Sequence, residues 1–294
     1  MDTGWITTWR LILEFQTPGH FDKSPEAIIK ATLGATLLDL HCPYGLVRGD
    51  EPPCTPCPQR QQCPYPVVFK PTAIVDTVGR PPPPPFTLRY LGPVQPDIGS
   101  RAQIDLTLVG PARSHIHHLT DALRRAAARG FGAREARARA EVIDITQRPP
   151  AQIIEASDGV LLRLETPVII REWGARHRDT LRHFDPLAFG RALVRRLRDL
   201  SSSYGDCGLA LPDADRALEV RHDRTRTSMR RAFSARQDQT IYAEGVVGEV
   251  EVGGPALAAW LPALALGERL GVGRFTTWGN GRFSVWSMDM GETK

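Results

Sequence analysis

The order in which the apolar residues change their spacing constrains this chain more than any other feature. Residues 9–16, WRLILEFQ, are apolar-rich and strand-like. Ser24 then supplies an N-cap and Pro25 a first helical position. From there Ile28, Ile29, Leu33, Leu37 and Leu38 recur at the helical period of about 3.6, which predicts a helix to about Leu40. VVFKPTAIV (67–75) reads as a second strand, and AQIDLTLV (102–109) alternates as a third. A helix fits 115–129, Gly130-Phe131-Gly132 marks a turn, and a fourth strand fits 137–146. The resulting order, β-α-β-β-α-β, is the split βαβ of ferredoxin-like folds. Residues 41–66 read as a Cys- and Pro-rich loop, and Pro81–Pro85 as a stiff extended spacer.

QRPPAQ (147–152) is a linker, which predicts one domain over 1–150 and a second over 151–294. The second half runs GVLLRLETPVII (159–170) as a strand, a helix over 186–200, a strand-rich stretch over 237–252, a short helix over 255–266, and RFSVW (282–286) as a last strand. That order repeats the first, less cleanly. The expected class is α+β: two tandem ferredoxin-like, RRM-like domains with a Cys/Pro-rich insertion in the first. A chain of 294 residues that is 41% hydrophobic can bury two such cores. No apolar run reaches the ~18–20 residues of a membrane span, so no membrane partner is expected. The N-terminus has an early acidic residue and no small-residue cleavage site. The expectation is a cytoplasmic protein whose five cysteines are not paired as disulfides.

The segment GERLGVGRFTTWGNGRFSV (267–285) holds five glycines, and Gly271, Gly273, Gly279 and Gly281 form two G-x-G pairs. Bare backbone with N–H groups exposed in series can cradle an anion, and Arg274 and Arg282 suit phosphate. No GK[ST] follows, so this is not a Walker loop, and no βαβ unit can follow it before Lys294. The structural alternative is a Gly-rich hairpin closing a sheet.

Formal net charge is only +4, but the cations are unusual: of 37 Lys and Arg, four are lysine and 33 arginine. Seven arginines fall between Arg113 and Arg139 and seven between Arg216 and Arg236. The first run sits in a good helix-forming sequence and reads equally as a solvated helix face. The second, RHDRTRTSMRRAFSARQDQ, crowds Ser and Thr among the arginines without a helical stripe, so Arg230, Arg231 and Arg236 are expected to contact nucleic-acid phosphate and Phe233 to stack on a base.

Cys42, Cys54, Cys57 and Cys63 follow the spacing C-x11-C-x2-C-x5-C. Four thiolates can close a tetrahedral structural zinc site, and a Pro-rich loop has little else to hold it; ordinary thiols are the alternative. Among the eight histidines, His41 ends the first helix, and His115, His117 and His118 open the second. Histidine is the usual acid–base group near neutral pH. No acidic cluster with Mg²⁺ spacing, no G-x-S-x-G and no Cys–His protease context stands out, which disfavours a two-metal nuclease or a hydrolase of those kinds.

These residues resemble a known family. The stretch from Ser234, with Arg236, Gln237, Gly245 and Gly248, through a Leu/Ala-rich helix to the paired G-x-G loop is similar to the C-terminal half of the CRISPR-associated endoribonucleases that process precursor CRISPR RNA, of the RAMP superfamily. HCPYG…CTPCPQRQQCPYPVVF resembles the insertion after the first helix in a Cys-rich branch, and LTLVGPARSHIHHLTDALRRAAARGFGAREARA its central strand–helix–turn. The resemblance implies binding of CRISPR repeat RNA or crRNA, partnership with other CRISPR-Cas effector subunits, and one metal-independent cut by 2′-hydroxyl attack. It places the general base at His41, with His20 second, and gives Tyr44 or Lys23 a proton or a charge to supply. It also sets the glycine loop and its arginines against RNA backbone. A family member that binds repeat RNA without cutting it, and a zinc-stapled nucleic-acid-binding module, are the rival readings.

Overall fold

The computed structural model of the chain describes residues 4–43, 54–75, 81–132, 135–156, 158–171, 180–234 and 239–288, with backbone only at 232–234, 239–241 and 243. Two compact units emerge: one holds Gly4–Pro149 with Ser202–Gly205, the other Pro150–Ser201 and the chain from Asp206 on.

The first unit runs β1 (Ile6–Phe15), α1 (Pro25–His41), α2 (Pro64–Phe69), β2 (Phe86–Leu91), β3 (Arg101–Val109), α3 (Ile116–Arg129) and β4 (Ala140–Gln147). Its sheet has the order β2-β3-β1-β4 with every neighbouring pair antiparallel. The two faces of that sheet differ as strand alternation requires. Leu11, Leu13 and Phe15 of β1, Ile104, Leu106 and Leu108 of β3, and Phe86, Leu88 and Tyr90 of β2 share one core with α1 and α3. From α1 that core takes Ile29, Leu33 and Leu37; from α3 it takes Leu119, Leu123 and Ala126. On the opposite face Asp105 accepts from Arg10 at 2.9 and 3.1 Å, from Arg148 at 3.0 Å and from Gln103 at 3.1 Å. Asp105 is only 4% exposed, so these donors offset the cost of burying its charge.

The predicted strand over 67–75 is wrong. Val67–Phe69 belong to α2 and Pro71–Ala73 to a 3₁₀ turn. Pro64 opens α2 at a first-turn position, where its missing N–H costs nothing, and Val67 and Val68 are buried in the same core. Prolines at 64, 66 and 71 suit that helical turn and spoil a strand. The second strand is FTLRYL, after the proline spacer, alternating Phe86, Leu88 and Tyr90 inward.

The second unit runs β5 (Gly159–Val168), α4 (Pro186–Tyr204), β6 (Glu219–Ser234), β7 (Gln239–Gly253), α5 (Leu257–Leu270) and β8 (Phe283–Ser287). The sheet order β6-β7-β5-β8 repeats that of the first unit, again antiparallel throughout. Its helices bury Leu193, Leu197, Trp260 and Leu264. The Trp260 indole N–H is satisfied by Arg216 O at 2.9 Å, and its ring packs where Gly190 of α4 leaves no Cβ. The N-terminal half of β6 lay outside the strand-rich stretch read from the sequence; β6 and β7 are one long hairpin.

Between α5 and β8 the glycine loop folds tightly onto the end of β5. Val272 N–H donates to Gly281 O at 2.9 Å, Arg274 N–H to Ile169 O at 3.0 Å and Gly281 N–H to Pro167 O at 2.9 Å. Gly271, Gly273, Gly279 and Gly281 all have φ between 69° and 79°. Gly281 is the tightest: a Cβ there would stand 1.8 Å from Val272 O. Gly99 has a similar φ of 77° but open space around it. Gly99→Ala therefore costs backbone strain alone, about 1 kcal/mol. Gly281→Ala adds a collision with backbone and should cost clearly more, read as a lower denaturant midpoint with no RNA present. Equal losses in the two variants would show that the loop does not need that close approach.

Candidate functional site

In the first unit, α1 and α3 meet where three imidazoles gather. The helical stripe Ile29-Leu33-Leu37 continues, one turn on, to His41 in the last turn of α1. His118, in the first turn of α3, meets it edge-on with ring centroids 4.8 Å apart and planes at 80°. His115, one turn earlier, lies 5.7 Å from His118. His41 Nε2, His115 Nδ1 and His118 Nδ1 are buried with no hydrogen-bond partner. Burial, then the nearby His118, hold the His41 imidazole below the ordinary histidine value; Arg125 acts the same way and Asp121 opposes it. Burial, then His118 and His41, lower His115 likewise. Asp121 is itself engaged, by Arg125 at 3.3 Å. The arrangement keeps His41 neutral at neutral pH, as a general base requires.

His41 is thus brought together with two histidines of α3 rather than with His20. His20 is exposed on the loop after β1, its N–H donating to Ala136 O at 3.3 Å. Lys23 lies 3.9 Å from Asp22. Tyr44 lies outside the described residues. The pairing of His41 with His118 was legible only in part: H-x-x-H opening a helix was visible, but not which helix end it would meet.

The four cysteines are also in this unit. Cys42 caps the C-terminal end of α1 and Cys63 precedes α2. Cys54 and Cys57 face each other across a turn closed by Cys57 N–H to Cys54 O at 3.2 Å. All are free thiols. Burial raises the Cys54 thiol; Lys70 opposes this, and the charges of Cys63, Cys42 and Cys57 add to it, so the four stand within electrostatic reach of one another. Among the described residues no group of three or more His, Cys, Asp or Glu is already in metal-holding geometry.

In the second unit the basic run is not a helix but the edge strand β6. Strand alternation puts Arg224, Arg226, Ser228 and Arg230 on one face, opposite Glu249, Val247, Gly245 and Ala243 of β7. Arg221 is taken by Asp158 through two hydrogen bonds of 2.7 and 2.9 Å, and Arg163 by Glu249 at 3.1 Å. Among the described residues no carboxylate pairs with Arg224, Arg226 or Arg231, and all three are exposed. Arg230 reaches the glycine loop, donating to Gly279 O at 3.2 Å. The R-x-R-x-S-x-R period of two was the missed sequence signal. Arg236 lies outside the described residues, as does the side chain of Phe233.

The glycine loop serves these arginines differently from the open anion cradle expected. N–H groups of Gly271, Val272, Arg274, Trp278, Gly279, Asn280, Gly281 and Arg282 all donate within the protein. The loop is a scaffold. It presents Phe275 in the left-handed region, φ 58°, stacked on Trp278 at 4.9 Å, with the exposed Arg274 guanidinium 5.1 Å from the Phe275 ring centre. Partial burial, then Arg171, lower the Arg274 pKa. Arg282 is largely covered and lies 3.9 Å from Glu165.

Among the described residues no helix is long and apolar enough to cross a membrane. No curated protein matches the sequence. Solved structures do match. A Cas6 product complex is 16% identical, over 96% of this chain and 99% of that one, with a TM-score of 0.59. Thermus thermophilus Cas6 is 15% identical, over 96% and 98%, with a TM-score of 0.54. A RAMP protein binding different RNA substrates is 12% identical, over 96% and 100%, with a TM-score of 0.52. At these identities the likeness is one of fold. A family model described as an N-terminal domain matches residues 5–166, and the model of the CRISPR-associated endoribonuclease Cas6 matches residues 162–283. Two ferredoxin-like units in tandem, the second carrying the Cas6 domain, place the chain in the family of CRISPR-associated endoribonucleases.

Proposed function

We propose that this protein, working in the cytoplasm, binds the repeat of a precursor CRISPR RNA and cuts it into guide RNA without a catalytic metal. The observation that carries the reading is His41, held neutral at the α1–α3 junction of a chain with a Cas6 domain. His41 takes the proton of the 2′-hydroxyl next to the scissile phosphate. The 2′-oxygen bonds to phosphorus, the bond to the 5′-oxygen breaks, and that oxygen leaves with a proton. The products are a cyclic phosphate and a 5′-hydroxyl. Tyr44 and Lys23 supply a proton or a charge, and His20 is the second candidate base. Arg224, Arg226, Arg230 and Arg231 of β6 hold phosphates, with Arg236, Arg274 and Arg282 beside them; Gly271, Gly273, Gly279 and Gly281 shape the loop that carries Arg274. The processed crRNA and other CRISPR-Cas effector subunits are the partners.

Incubating the protein with a labelled repeat RNA in EDTA, beside RNAs carrying a single 2′-deoxy at each candidate site, tests the chemistry. The expected result is one cut, abolished by one deoxy substitution and lost in His41→Ala. Tight binding with no cut of any repeat would favour the non-cleaving subunit, and a cut lost in EDTA would refute metal independence.

The reading includes a structural zinc held by Cys42, Cys54, Cys57 and Cys63, supported by the gathering of the four thiols around the ends of α1 and α2. The thiols close around the ion as it binds. Purified protein should carry about one zinc per chain, as a site of four thiolates holds one ion. Cys54→Ser with Cys57→Ser should lose it and lower the melting temperature. A full-length protein with no zinc and no thiolate-to-cobalt charge-transfer band after Co²⁺ addition would rule the site out.

A further inference from the structure

The His41–His118 contact has a consequence for the chemistry itself, one that rests on reading His41 as the general base. The groups facing His41 from α3 form one ridge: His118, Asp121 and Arg125. Asp121, the only one whose charge would favour a protonated His41, is drawn to Arg125 at 3.3 Å. On its own helix Asp39 is drawn to Arg129 at 2.7 Å. Both carboxylates near His41 are therefore occupied by arginines. No carboxylate among the described residues holds the His41 ring from behind, although an acceptor on the second nitrogen commonly fixes a catalytic imidazole. The group in that place is another imidazole. Its ring edge meets His41 in a T-shaped pair, and His115 backs His118 in turn.

We infer that His118 is the positioning residue for His41: its ring fixes the orientation of the His41 imidazole, and any proton it carries opposes a second proton on His41. His118 acts through His41 and need not touch RNA. A carboxylate in its place would hold the base in its charged form; an imidazole keeps the base able to accept. The direction follows from charge: two like charges in contact disfavour one another, so taking a proton at either ring makes the other harder to protonate.

The test is the pH dependence of single-turnover cleavage of a repeat RNA, with ring-carbon NMR titration of the histidines in the same proteins. His41 must be neutral to act, so activity falls as the pH drops through its pKa. His118→Phe keeps a ring against His41 and removes the titrating charge. The acid limb should move to higher pH, and the His41 resonance should titrate higher by the same amount. His118→Lys fixes a positive charge there and should move both to lower pH. If His41→Ala abolishes the cut while both His118 variants leave the acid limb in place, His118 is structural only and the inference fails. If His41→Ala still cuts, the base has been misassigned, which is a separate failure. In that event the NMR titration decides the inference alone: an unmoved His41 midpoint in His118→Phe overturns it. Should both variants fail to fold, the unaltered protein still decides. His41 and His118 must titrate as a coupled pair, and two independent single-step curves would overturn the inference.

Discussion

The burial of one face of α1 against the first sheet is the constraint on which the rest depends. Ile29, Leu33 and Leu37 are each at most 1% exposed and four residues apart, so the register of the helix on the sheet is fixed by apolar burial. His41 is the next position on that stripe. The same contact that hides three aliphatic side chains therefore carries an imidazole to the edge of the core, where it meets the first turn of α3. Its lowered pKa is a by-product of that placement, since burial is the largest cause. Substituting Leu37 would alter the site as well as the fold, because position and proton affinity of His41 share one origin.

Most of the helices could be read in advance because their periodicity and caps are local. Pro25 and the stripe of α1, and the turn glycines after α3, announce themselves. The second strand could not be placed by β-branched content: VVF is buried whether strand or helix, and only the prolines around it decide for α2. FTLRYL alternated in plain view behind five prolines that drew attention as a spacer. For the site, His41 was legible as the end of a helix, while its partner was not. Which helix end α1 would meet depends on the crossing of two helices over a sheet, and spacing along the chain carries no record of that.

The glycine loop and the basic run teach opposite lessons about local composition. Four glycines with positive φ suggested a cradle for an anion, yet their N–H groups are spent on Ile169, Pro167 and one another. The glycines are there so that backbone can approach backbone, and the loop's polar contribution passes to Arg274 beside Phe275. The arginines, by contrast, looked diffuse because they were weighed as a helix. On strand β6 every second residue shares a face, which turns a scattered composition into a row. That row lies on an edge strand, where charge also discourages pairing with another chain, so its arginines serve the monomer even before RNA arrives.

The account assigns cutting to the α1–α3 junction of one unit and holding of RNA to the β6 face of the other. The most direct test compares His41→Ala with a triple variant, Arg224→Gln, Arg226→Gln and Arg230→Gln, measuring repeat-RNA affinity across a salt series and the cleavage rate at saturating protein. The account predicts that His41→Ala binds as the parent does and does not cut. It predicts that the triple variant binds more weakly, with a shallower dependence of log affinity on log salt, but cuts once saturated. An unchanged salt slope in the triple variant, or loss of binding in His41→Ala with cutting intact at saturation, would contradict it.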